Sequence, residues 1–60
     1  MKRNEFIKIL TENSVVFFRR GSKHDIYRKI TTGKKVTVPR HREIDNTLAK
    51  EILRELHIES

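Results

Sequence analysis

Apolar residues recur at helical spacing at both ends of this 60-residue chain and at strand spacing between them. That double change of period constrains the fold more than any other feature. In the first segment Phe6, Ile7 and Leu10 share one helical face, with Ile9 beside them, while Glu5, Lys8 and Glu12 fill the other. The spacing predicts a helix over residues 4–12. Asn4 is the expected N-cap, Glu5 opposes the positive end of the helix dipole, and Asn13-Ser14 is a fitting stop.

The period then shifts. Val15, Val16, Phe17 and Phe18 are β-branched or aromatic and suit a pleated surface, and Arg19-Arg20 leads into Gly21-Ser22, a turn signal. Residues 24–30 alternate, with Ile26 and Ile30 expected on one face and Asp25, Tyr27 and Lys29 on the other. Thr31-Thr32-Gly33-Lys34 supplies a second turn before Lys35-Val36-Thr37-Val38 alternates again, and Pro39, which cannot donate to a ladder, ends that strand or sits at an edge. A three-stranded antiparallel meander follows from this pattern.

Beyond a polar stretch at residues 40–43, Leu48, Ile52, Leu53 and Leu56 restore helical spacing, with Ala49 and Ile58 beside them and Asp45 as the expected N-cap of a helix over residues 46–56. The fold class is α+β, in the order helix, strand, strand, strand, helix, as a single domain over residues 1–60. Two helices cover one face of such a sheet and leave the other to water or a ligand.

Several classes of function fall away. There is no cysteine, which removes disulfide scaffolds, thiol nucleophiles and cysteine zinc sites, and fits a reducing interior. The longest apolar run, Val15 to Phe18, is far short of the roughly 20 residues of a spanning helix. Charged residues interrupt any signal core in residues 1–12, so the mature chain is expected to start at Met1, in the cytoplasm. No HExxH and no cluster of acids supports a metal site, and no cofactor is expected.

The net charge of +6 is unevenly distributed. Residues 19–42 hold nine basic side chains and a single acid, Asp25, a net of +8, whereas the rest of the chain is at −2. A field of that kind concentrates polyanions and speeds their encounter, which points to nucleic acid, against the alternative of a merely solvated basic surface. A membrane surface is the weaker rival, because these cations lie on strands and turns and not along an amphipathic helix.

Three histidines are candidates for proton transfer near neutral pH. His57 falls in the last turn of the second helix, where a capping or plain surface role accounts for it. His41 follows Val38-Pro39-Arg40 and is open between structural hydrogen bonding and substrate contact. His24 comes just after Gly21-Ser22-Lys23, among Arg19, Arg20 and Lys23 and beside Asp25. A histidine on a turn within a cationic patch has the parts for breaking a phosphodiester, although residue type alone also allows a binding or structural role.

Taken together, Gly21-Ser22-Lys23-His24-Asp25-Ile26-Tyr27, the Thr32-Gly33-Lys34-Lys35 turn, Val36-Thr37-Val38-Pro39-Arg40-His41 and the closing helix Leu48-Ala49-Lys50-Glu51-Ile52-Leu53 resemble the HicA toxins of HicA–HicB toxin–antitoxin modules. The resemblance covers essentially the whole chain and implies a fold similar to double-stranded RNA-binding domains. Those domains carry a basic cluster at the start of their last helix; here that stretch is Asp45-Asn46-Thr47, which argues against that sister class.

The resemblance implies a ribosome-independent mRNA interferase with one essential histidine in the glycine-serine turn. Many members place it directly after the serine, and a form with one residue between also occurs, so the role is carried to His24. The expected reaction is metal-free transesterification, in which the ribose 2′-oxygen attacks the adjacent phosphorus; DNA lacks that nucleophile. Gly21 is assigned to turn geometry, and Arg20, Ser22, Lys23 and Arg40 to RNA binding or transition-state support. His41 is the candidate for the complementary acid. The implied partners are mRNA and a HicB-like antitoxin that covers the basic active face. Two alternatives stand beside this reading: a non-catalytic RNA-binding module of the same fold, and a domain whose basic face docks an acidic protein.

Overall fold

The structure, a computed structural model, is described over residues 1–58. It runs α1 (Arg3–Glu12), β1 (Val15–Arg20), β2 (His24–Lys29), β3 (Lys35–Pro39) and α2 (Asn46–Glu55). The strands form one antiparallel sheet in the order β1-β2-β3. This is the expected α-β-β-β-α meander, and Pro39 closes an edge strand where its missing N–H removes no ladder bond.

The core is a single layer between sheet and helices. Phe6 and Leu10 of α1 and Ala49, Ile52 and Leu53 of α2 are buried, together with Val15, Tyr27, Val36 and Val38 of the sheet and Ile44, Leu56 and Ile58 of the connecting segments. Tyr27, paired with Val36, faces the helices, and Ile26 is half-buried, so the aromatic residue and not the isoleucines carries the inward face of β2. Ile30 lies past the end of β2 and is 60% exposed. The wide Tyr ring fills more of a thin core than Ile would, and its face is shared by Phe17, whose ring meets it edge-on at 5.8 Å.

Helix α1 begins one residue before the expected start. Lys2, not Asn4, is its N-cap, and it makes no side-chain cap bond. Tertiary pairing sets this boundary: the N–H of Arg3 donates to the Arg42 carbonyl at 2.8 Å, and Lys2 and Glu43 form an antiparallel bridge. The same pairing buries Ile44, whose N–H donates to the Met1 carbonyl at 2.8 Å. Asp45 does occupy the N-cap of α2, without a side-chain cap bond. Both helices end through a residue with positive φ, Ser14 at 62° and His57 at 58°. After α2, the His57 N–H donates to the Arg54 carbonyl and the Ile58 N–H to the Leu53 carbonyl, a two-bond cap that also folds Ile58 back onto Leu53. Lys29 adds its ammonium to the Leu56 carbonyl at 2.7 Å, a cation at the negative end of the helix.

Candidate functional site

The β1–β2 turn is built around Gly21. Its N–H donates to the His24 carbonyl at 2.8 Å, and a Cβ on Gly21 would lie 2.6 Å from that same oxygen, so no other residue fits without displacing the backbone. Ser22 and Lys23 form the exposed tip, and His24 opens β2, exposed.

Arg40 locks this turn from the other side. Its Nη2 donates to the Gly21 carbonyl and, at 3.3 Å, to that of His24, its Nη1 reaches the Ser22 carbonyl at 3.4 Å, and its Nε donates to Asp25 Oδ1 at 2.9 Å. The other Asp25 oxygen accepts from Arg3 Nη2 at 3.0 Å, and Arg3 Nε donates to the Pro39 carbonyl at 2.8 Å. One carboxylate thus joins the start of α1, the turn and the end of β3. The Arg40 hydrogen bond, supported by the charges of Arg40, Arg3 and Arg20, holds the Asp25 carboxyl below its ordinary pKa against the opposing effect of burial.

Alternation along β2 separates Asp25 from His24. Asp25 pairs with Val38 on the helix-covered side, whereas His24, Ile26 and Arg28 lie on the uncovered side, opposite Pro39, Thr37 and Lys35. Asp25 is therefore not the partner that orients the His24 imidazole. Arg20 pairs with Asp25 and shares its side. His41, exposed, follows the clamping arginine in the bend after β3.

The ladder shifts register between Phe17 and Arg19, leaving Phe18 as the extra residue of a β-bulge. Arg19 consequently pairs with Ile26 and joins the face of His24. Phe18 lies there too: the Lys35 ammonium is 4.6 Å and the Arg28 guanidinium 6.0 Å from its ring centroid. Sequence reasoning assigned no role to Arg19 or Phe18, because a bulge changes the parity of a strand without leaving a compositional mark. It also passed over Arg3, whose part depends on contacts 22 and 36 residues away.

On the other side of the clamp, Lys2, Arg3, Asn4, Arg40, Arg42 and Glu43 line an open cleft of about 580 Å³. Among the described residues no three His, Asp or Glu side chains gather into a set that would hold a metal ion.

A family model described as the HicA toxin of bacterial toxin–antitoxin systems matches residues 3–58. The chain belongs to the HicA toxin family. The match spans every element from α1 to Ile58, including the clamped turn and the bulged strand. A HicA toxin acts within a toxin–antitoxin pair, so an antitoxin partner comes with membership. Comparisons with curated proteins and with solved structures gave no match. Among the described residues no helix is long and apolar enough to cross a membrane.

Proposed function

We propose that this HicA toxin is an endoribonuclease that cleaves mRNA without a metal, with His24 as its general base. The observation that carries this reading is the placement of an exposed histidine on a turn whose carbonyls are tied by Arg40, within a segment of net charge +8. His24 takes the proton from the ribose 2′-hydroxyl as the 2′-oxygen attacks phosphorus. The bond to the 5′-oxygen breaks, giving a cyclic phosphate and a free 5′-hydroxyl once that oxygen is protonated. One imidazole does not serve both transfers at once, and His41 or a water supplies the second proton. Lys23 and Ser22 contact the phosphate or stabilise its added negative charge, whereas Arg20, expected from the sequence to join them, lies on the side of Asp25 and away from His24. Arg40, with its donors committed to the turn and to Asp25, acts as a positioning residue. The partner is an acidic HicB-like antitoxin that covers the basic face and blocks RNA access.

One observation favours a second reading, that of a non-catalytic RNA-binding module. The carboxylate next to His24 in sequence is held on the opposite side of the sheet by two arginines, which removes the most obvious orienting partner. New RNA ends separate the two. Purified protein and His24→Ala are incubated in EDTA with a single-stranded RNA and a DNA of the same sequence. Cleavage of RNA alone, lowered by about 10²-fold or more in His24→Ala with folding and RNA binding retained, is the expected result. Full cleavage by the variant removes His24 from the reaction, and activity that needs a restored divalent ion removes the metal-free mechanism.

A further inference from the structure

The uncovered sheet face carries an arrangement that a histidine on a turn does not require. Val16, Phe18 and Arg19 of β1, Ile26 and Arg28 of β2, and Lys35 and Thr37 of β3 share it with His24. Phe18 is 43% exposed and Val16 40%, although both lie within a strand. No carboxylate belongs to this face, since Asp25, the one acid of the three strands, is turned to the other side. An apolar ring that a free protein has no use for in water is thus set beside two cations, on a face that Arg19 shares.

We infer that this face is a track for single-stranded RNA, with Phe18 as the ring on which a base stacks and Arg19, Arg28 and Lys35 as the partners of the flanking phosphates. The inference rests on RNA being the ligand of the His24 site and adds where the strand lies on either side of it. Bases have apolar π-faces and phosphates are anionic, so aromatic rings between cations bind single strands with little regard to sequence. An acidic protein would match the cations and leave the ring without a specific partner; a duplex would hide its base faces from Phe18. Arg28 lies four residues along β2 from His24, about 13 Å, a span that seats two or three bases on a sheet. The bulge supplies the geometry: in a regular ladder of the same residues Arg19 would pair with Asp25 on the helix side, and the open face would lose one of its cations.

The test is made in the His24→Ala background, so that binding is read without cleavage, by fluorescence anisotropy with a labelled single-stranded RNA. Phe18→Leu keeps apolar bulk and removes the stacking face. It is expected to weaken RNA binding about tenfold with an unchanged salt dependence, and Phe18→Trp to restore it. The same RNA as a duplex is expected to be indifferent to both. Circular dichroism confirms that the exposed substitutions leave the fold intact. Unchanged affinity in Phe18→Leu overturns the track, as does an equal loss for duplex RNA. Loss of antitoxin binding with RNA binding intact overturns it in favour of a protein interface. If the wild-type protein leaves RNA uncut while its affinity still depends on Phe18, the nuclease reading fails and the track stands.

Discussion

Asp25 sits among the nine cations of residues 19–42, and two arginines hold it. A short acid there does what a surface carboxylate seldom does, because its side chain is only 17% exposed and both of its oxygens are engaged. Its folded-state pKa lies below its ordinary value of 3.8, so the unfolded chain takes up the proton first as pH falls. The stabilisation is complete above about that ordinary value and is lost as pH drops through the lowered one. Urea denaturation between neutral and acid pH is expected to show a constant contribution that declines only in this acid window. Asp25→Asn is expected to be less stable at neutral pH and to lack that part of the acid dependence. If the variant and the wild type lose stability in parallel, the clamp does not carry it. The sequence placed Asp25 beside His24, and only the alternation of β2 shows that adjacency in the chain means opposite sides of the sheet.

At the scale of elements, the ends of the helices rest on two residues in a conformation that usually falls to glycine. His57 holds φ at 58° while its backbone completes the α2 cap, a position that costs a non-glycine residue about 1–2 kcal/mol. His57→Gly relieves this at a smaller cost in the unfolded chain. A net gain of about 0.5–1 kcal/mol, or a Tm higher by roughly 4 °C, is expected in thermal melts. An unchanged or lower Tm would mean that the imidazole itself holds the cap. Much of the element order was legible because Leu48, Ile52 and Leu53 repeat at helical spacing and Gly21-Ser22 marks a turn. Ile44 was not, since polar neighbours surround it and its burial comes from pairing with Met1, a contact across 43 residues. The helix start at Arg3 was misplaced for the same reason: capping rules weigh local side chains, and here a distant backbone segment decided.

For the whole molecule, folding converts a run of charge into an oriented one. The helices cover one side of the sheet, Asp25 is drawn to that side, and Arg19, Arg28 and Lys35 remain on the other with His24 at its end. Three phosphate contacts to a single strand correspond to a slope of about −2 in log affinity against log salt concentration. That slope is expected for RNA binding by His24→Ala, and Lys35→Gln or Arg28→Gln is expected to flatten it by about 0.7 each. A slope near zero would leave the basic face without a polyanion. The candidate site was partly legible at this scale: charge counting marked the basic segment, and the glycine-serine turn pointed to His24, which the structure places exposed at the start of β2. Which cations share the histidine's face depended on strand parity, which residue types do not encode.

The bulge at Phe18 has a consequence for how such chains are compared. In β1 the residues on either side of it obey opposite inside-outside rules, so an alignment that drops or adds one residue there exchanges the inventories of the two faces beyond it. A relative with a regular first strand would place its second arginine where this chain presents its first. Columns matched by identity would then equate side chains that look in opposite directions, and the fingerprint of the open face would have to be read by counting from the turn backwards.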